Sequence, residues 1–271
     1  MASAGIGVTE PDIEDLLAPM SARSLVASAL LGSHPPALPG RMLVAMAERF
    51  AINGGTTRVA LSRMVERGEL TNDEGVYTLA GPLLERQERQ DRSRRRADPD
   101  PWDGTWEQAI VTATGRTSSE RTKVRKALGS LGLGERREGV WMRPANLDSD
   151  RLPFARAVAD EQVAWYRVAP LQGDVAQDLA HRLFDVDGWA TTARALQAAI
   201  HTAQTELHGH DDAVVAGFNL ASATLRHLVH DPQLPPALAP CCWPAEALRQ
   251  AYEDYEHAYQ QLLRRFLRSV P

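Results

Sequence analysis

The 271 residues carry a net charge of −5, with 44% hydrophobic and 24% charged side chains, an ordinary make-up for a globular chain long enough to bury a substantial core. No apolar run approaches the roughly 18 residues of a membrane span, and no basic N-terminal region leads into an apolar core. The two cysteines, Cys241 and Cys242, are adjacent, which supplies no disulfide framework and suits a reducing cytoplasm. Charge is unevenly spread: residues 1–20 carry four acids and no base, residues 21–97 carry 12 arginines against 8 acids, and residues 98–271 return to a net of −5. A basic module attached to an acidic body is the distribution expected of a DNA-binding regulator.

Residues 1–20 place Gly, Pro and acids around Ile13, Leu16 and Leu17 and read as a disordered lead-in. A winged helix-turn-helix is expected over 21–83. Its first helix is capped by Ser21, carries Leu25, Val26, Ala29 and Leu30, and stops at Gly32. His34-Pro35-Pro36 and Pro39-Gly40 form a loop, and Arg41 to Phe50 is the second helix, with Met42, Leu43, Met46, Ala47 and Phe50 inward. In the third, Asn53 is the N-cap and Ile52 the hydrophobic staple. Small or apolar positions then fall at Thr57, Ala60, Leu61, Met64, Val65 and Gly68, which is one buried stripe.

The opposite face of that helix presents Thr56, Arg58, Val59, Ser62, Arg63, Glu66 and Arg67. From Thr56 to Arg63 it spans roughly 10 Å at about 1.5 Å per residue, a length that fits a major groove. Gly54 and Gly55 open the helix, where missing side chains let backbone amides approach a phosphate. Around the Asn72–Gly75 turn, Glu69-Leu70-Thr71 and Val76–Leu79 make the wing hairpin. Arg58 and Arg63 are the leading base or phosphate contacts, with Gly55, Thr56, Val59, Ser62 and Arg67 beside them. The same stretch also fits a surface helix of another all-α domain followed by an unrelated hairpin.

Residues 84–100 contain LERQERQDRSRRRAD, whose arginines alternate with acids and Gln. This is a solvated connecting helix or linker, with Arg94-Arg95-Arg96 placed to touch phosphates beside an operator. Asp98-Pro99-Asp100-Pro101 then breaks the chain. The second domain, 101–172, opens with Trp102-Asp103-Gly104-Thr105-Trp106 and a strand running to Ala113. A helix over Ser118 to Leu131, a returning strand at Gly139–Pro144, a short helix near Leu152 to Val158 and a strand at Val163–Val168 follow. That order predicts a split βαβ, ferredoxin-like unit. Residues 173–271 are helical throughout, and Tyr252, Tyr255 and Tyr259 share one helix face, as core, dimer interface or pocket wall. The fold class is therefore α+β.

His201, His208, His210, Asp211, Asp212, His227 and His230 are metal-ligand types, but several surround Gly209 in what reads as a polar interhelical loop, so no metal site is expected. Cys241 and Cys242 lack C-x-x-C spacing and read as a buried or half-buried thiol pair. With no Ser-His-Asp signature, phosphate loop or G-x-G-x-x-G, no catalytic residue, cofactor or enzyme activity is expected.

Three motif sets now carry a resemblance. They are TRVALSRMVERGEL from Thr57, the WDGTW opening with LGLG and GVW before Pro144, and RHLVHDPQLPPALAPCCWP from Arg226 to Pro244. Together the chain resembles the PaaX family, repressors of bacterial phenylacetate catabolism and their relatives. That family's central domain is similar to the ferredoxin-like fold of Cas2 proteins. A Cas2-type nuclease carries an Asp at the end of its first strand; here Ile110-Val111-Thr112-Ala113-Thr114-Gly115 has none, and the family's usual Asp-Ile-Pro-like ending is also missing. The resemblance implies a homodimeric, cytoplasmic repressor of an aromatic or fatty-acid catabolic operon, bound to palindromic double-stranded DNA and released by an aryl- or acyl-CoA effector. Arg167, Arg182, Arg194 and Arg226 are the candidate partners for such a ligand's diphosphate. The rival functions are a protein-interaction adaptor whose winged helix does not bind DNA, and a metal-dependent hydrolase or nuclease.

Overall fold

A computed structural model describes residues 20–94, 102–148, 152–169, 175–206 and 212–268. Local chemistry sets the first elements. The Ser21 hydroxyl accepts the Ser24 amide at 3.2 Å and opens α1 (Ala22–Leu31), whose Leu25, Val26 and Leu30 are buried as expected. Helix α2 (Gly40–Arg49) buries Leu43, Met46 and Ala47. Asn53 Oδ1 accepts the Gly55 amide at 2.7 Å and starts α3 (Gly54–Glu66), which ends at Gly68 with φ of 67°, the left-handed stop that glycine tolerates. Both α1 and α2 pack on α3.

The wing is a hairpin of β2 (Leu70–Asp73) and β3 (Val76–Leu79) joined by Glu74 and Gly75, both at positive φ. That two-residue turn carries a twist matching the strands it joins. A third strand was not expected. β1 (Ala37–Pro39) lies where Pro35, Pro36 and Pro39 predict a loop, and pairs antiparallel with β3, giving the order β1-β3-β2. Proline at a sheet edge costs no central ladder bond, so the pairing partner rather than the local sequence makes this a strand.

Compactness divides the chain into two units. One holds Glu10–Arg95, Thr191–Val229 and Pro244–Pro271. Here α4 (Gly81–Arg94) is not a solvated linker. It buries Leu83, Gln87, Gln90 and Ser93, and Gln87 Nε2 donates to the carbonyls of Leu31 at 3.1 Å and Ser33 at 3.0 Å, closing the end of α1. Its Ser93 carbonyl accepts Arg249 Nε at 2.8 Å. Helix α9 (Asp212–Val229) packs on α4 and on α10 (Ala245–Arg268). Gly217 allows the second contact: a Cβ there would lie 2.6 Å from Tyr259 Cδ2.

The other unit holds Arg96–Ala190 and His230–Trp243. Strands β4 (Trp106–Val111), β5 (Gly134–Arg137), β6 (Val140–Pro144) and β7 (Val163–Val168) form an antiparallel sheet in the order β5-β6-β4-β7, with α5 (Ser118–Ser130) and α6 (Pro153–Asp160) as the connections. This is the ferredoxin-like arrangement expected. A reciprocal cap starts α5: the Thr117 hydroxyl accepts the Glu120 amide at 3.2 Å, and the Glu120 carboxylate accepts the Thr117 amide at 2.7 Å. Those bonds hold the Glu120 carboxyl below its ordinary pKa.

One sheet face buries Ala109, Trp141 and Val163 against Val124, Leu128 and Leu131 of α5. The other buries Trp106 and Met142 against Ala176, Leu179 and Ala180 of α7 (Val175–Leu183) and Leu238 of the proline-rich segment. The residues from 173 onward therefore do not form one helical body. α7 and the 230–243 segment pack on the central sheet, and α8 (Val186–Glu206) is divided between the units at Ala190 and Thr191.

Cys241 and Cys242 are both exposed, with their sulfurs 3.5 Å apart, and not buried as expected. They follow Pro240 in a turn where Cys242 adopts φ of 61°, while the neighbouring Trp243 stacks on Trp189 at 4.6 Å. Trp243, not the thiols, supplies the packing there. The lead-in over 1–19, the triplet residues Arg95 and Arg96, and His208, His210 and Asp211 lie outside the described residues.

Candidate nucleic-acid interface

Helix α3 separates its two faces cleanly. Thr57, Leu61 and Met64 are buried, and Ala60 and Val65 are half-buried. Gly55, Thr56, Arg58, Val59, Ser62, Arg63, Glu66 and Arg67 are all exposed, Val59 at 51%. The Thr57 hydroxyl turns inward and donates to the Asn53 carbonyl at 3.2 Å, so the outward polar groups are Thr56 and Ser62.

The two opening glycines have different roles. Gly54 is buried: a Cβ there would sit 2.8 Å from Glu48 Oε1 and 3.1 Å from Val44 Cγ1, so this glycine lets α2 cross closely over α3. Gly55 is exposed at the first turn; its own amide is taken by Asn53 Oδ1 at 2.7 Å, and its missing side chain leaves the helix N-terminus open to an approaching anion. The wing tip, Asn72 to Gly75, is also exposed, but Asp73 and Glu74 make it acidic. Arg23 holds Glu69 at the foot of the wing, at 2.6 Å. The exposed cationic side chains Arg58, Arg63 and Arg67 therefore stand on α3, while the wing tip is acidic.

Of the effector candidates, Arg226 lines a cavity. Arg182 on α7 and Arg194 on α8 are exposed. Arg167 on β7 is exposed too and belongs to the WDGTW motif: its Nε donates to Thr105 Oγ1 at 3.0 Å and its Nη2 meets Asp103 at 3.3 Å. Within that motif the Asp103 carboxylate accepts the Thr105 hydroxyl at 2.6 Å and amide at 2.9 Å, which lowers the Asp103 pKa. Arg167 and Arg182 lie in one unit, Arg194 and Arg226 in the other.

Arg226 instead joins Arg86 and Arg94 around a cavity of about 270 Å³ in the helix-turn-helix unit, where Tyr252 and Tyr259 also stand. The sequence gives Arg86 and Arg94 no such role, because they sit in a run that looks uniformly polar. The available signal is the three-residue spacing of Gln87, Gln90 and Ser93, which puts uncharged groups on one helix face.

In the central domain, Glu107 is the one acid within β4. It is bound between Arg143 at 2.7 Å and Arg156 at 3.0 Å. Burial lowers the Arg143 pKa and Glu107 opposes that shift. Among the described residues no group of three His, Cys, Asp or Glu is placed to hold a metal ion, and no helix is long and apolar enough to cross a membrane.

Comparison with known proteins gives three matches in chain order. Residues 21–82 match the PaaX-like protein family, 99–179 the PaaX protein central Cas2-like domain, and 187–269 the PaaX-like protein C-terminal domain. Among solved structures, the uncharacterized protein Rv0674 from Mycobacterium tuberculosis is similar, at 37% sequence identity and a TM-score of 0.63. The match covers 90% of this chain and 97% of that one. No curated protein matches. Three family segments in register, and a relative 37% identical over nearly its whole length, place this chain in the PaaX family of transcriptional regulators.

Proposed function

We propose that the protein is a DNA-binding repressor that acts as a homodimer in the cytoplasm, on a palindromic operator of a catabolic gene cluster. The observation that carries this reading is the exposed face of α3, where Thr56, Arg58, Val59, Ser62, Arg63 and Arg67 stand in water over a buried Leu61–Met64 stripe. Arg58 and Arg63 supply base-edge or phosphate contacts, Ser62 and Thr56 hydrogen bonds, and the Gly55 end of the helix a phosphate site. A dimer places two such helices one helical turn of DNA apart. The family resemblance supports release by an aryl- or acyl-CoA, or by the acid it is made from, which binds one dimer geometry better than the other.

The test is a mobility shift with DNA from upstream of the protein's own gene and with a genomic fragment library, for the wild type and the Arg58→Ala/Arg63→Ala double variant. The repressor reading predicts salt-sensitive binding by the wild type and none by the variant. Equal binding by both, or no fragment retained from the library, contradicts it, and the second result favours an adaptor.

A further inference from the structure

The cavity in the helix-turn-helix unit is a half-open cleft lined by the end of α1, strand β1, α4, α9 and α10. Its charged lining is three arginines, Arg86, Arg94 and Arg226, against one carboxylate, Glu256. Glu256 is already engaged, 3.1 Å from Arg94. Burial lowers the pKa of both Arg86 and Arg226; the charge of Arg86 depresses Arg226 further, and that of Arg23 depresses Arg86. Like charges gathered in a half-buried wall are costly, and an anion placed among them lowers that cost.

Two further lining residues carry unsatisfied groups. Gln90 Oε1 and Arg94 Nε are buried with no hydrogen-bond partner among the described residues. Buried polar atoms are nearly always paired, and of these two the Arg94 Nε–H is the donor that an anion can meet. Apolar and aromatic side chains, including Leu31, Leu38, Phe218, Leu225 and Tyr259, make up much of the rest of the lining, with Ser28, Ser33, His34, Ser222 and Gln260 among them.

Volume sets the size of the ligand. Drug-sized molecules occupy pockets of roughly 300–1,000 Å³, and this one measures about 270 Å³. A small acid fits within it, whereas most of a coenzyme A thioester would have to extend out of its open side. We propose that the cavity binds a compact organic anion, an aryl or medium-chain carboxylate. Its charge sits between Arg86 and Arg226, and its apolar body packs on Leu31, Phe218 and Leu225.

The position of the cavity gives binding a consequence. Ala37 and Leu38 of β1 line it, and the same residues pair with Thr78 and Tyr77 of the wing strand β3. Ser28, Ala29 and Leu31 of the lining belong to α1, which packs on α3. An occupant thus presses on the wing and on the support of the recognition helix at once. This consequence at DNA rests on the repressor reading; binding of the acid does not.

The test uses the full chain with benzoate, octanoate, their methyl esters and benzoyl-CoA, followed by calorimetry and thermal melting. One acid is expected to bind saturably and raise the melting temperature by several degrees at saturation, while its uncharged ester does neither. Arg86→Met is expected to weaken the acid by about tenfold or more, and Ser222→Phe, which fills the cavity, to abolish binding. Arg86→Lys, which keeps the charge, should recover part of the affinity lost in Arg86→Met. No binding by either acid, an ester that binds as well as its acid, or binding indifferent to both Arg86→Met and Ser222→Phe would overturn the proposal. Benzoyl-CoA binding where neither acid binds also overturns it, while leaving the repressor reading intact. An acid that binds as described to a protein that retains no DNA supports the site and sinks the repressor reading.

Discussion

Helices α3 and α4 each carry several arginines in the same unit, and they use the residue in opposite ways. On α3, Arg58, Arg63 and the capping Arg67 stand in water while Leu61 and Met64 hold the helix down. On α4, Arg86, Arg89 and Arg94 are half-buried, and the packed face is made of Leu83, Gln87, Gln90 and Ser93. Burial lowers the pKa of Arg89, and the charge of Arg86 adds to that shift. Arg94 lies between Asp91 at 3.9 Å and Glu256 at 3.1 Å, with its guanidinium 5.6 Å from the Tyr252 ring centre. An arginine count therefore says little about DNA. What matters is whether an apolar stripe behind the arginines frees them for a partner outside the chain.

The sharpest way to break the comparison is to remove that stripe. Leu61→Ala should cost about 2–5 kcal/mol of stability, read from urea melts, because Leu61 is 1% exposed. If the loss is negligible, α3 is not anchored as described. On α4 the corresponding anchor is polar. Gln87→Ala strips a partner from two carbonyls at the end of α1 and should cost about 1–3 kcal/mol, with Gln87→Glu no substitute, since a carboxylate cannot donate to a carbonyl. Asn53→Ala should cost about 1 kcal/mol and loosen the first turn of α3, seen as faster amide exchange at Gly55.

The smallest effect concerns pH. Glu256 has a raised pKa, chiefly from burial, with Arg94 opposing; Tyr252, His34 and Asp91 also face it. A carboxyl raised in the fold stabilises fully below its ordinary range, and that contribution is lost as pH rises through the folded pKa. Melts of the wild type from about pH 4.5 to 7 should therefore show a loss that Glu256→Gln flattens. A wild-type slope of the opposite sign would mean that the Arg94 pairing, not burial, dominates.

Much of this arrangement was legible in the sequence. The caps at Ser21 and Asn53 and the α3 stripe follow local rules, and so do the wing turn and the run of β4, α5, β6, α6 and β7, whereas β5 lies where the sequence reads as a turn. Each is written within one or two turns of chain. The remainder depends on contacts that no local pattern encodes. Strand β1 exists because Val76–Leu79 offers it a partner. Gly54 is a packing glycine because Val44 crosses it. The cavity is assembled from segments around residues 28–38, 86–94, 218–226 and 252–260, far apart in the chain. Its polar side looked like a solvated linker because glutamine and serine on a buried face give no hydrophobic period. Arg167, Arg182 and Arg194 were singled out by chemistry alone, and of that group only Arg226 reaches the cavity.

The most direct test of the central claim removes two arginines from each helix in turn and follows operator affinity by fluorescence anisotropy across a salt series. Arg58→Met/Arg63→Met takes charge from α3, and Arg89→Met/Arg92→Met takes the same charge from α4. Each phosphate contact contributes about 0.9 to the slope of log affinity against log salt. The α3 pair is predicted to lose affinity and flatten that slope, while the α4 pair keeps the wild-type slope. Equal losses from the two pairs would show that net charge rather than the face of α3 holds the DNA, and would contradict the account.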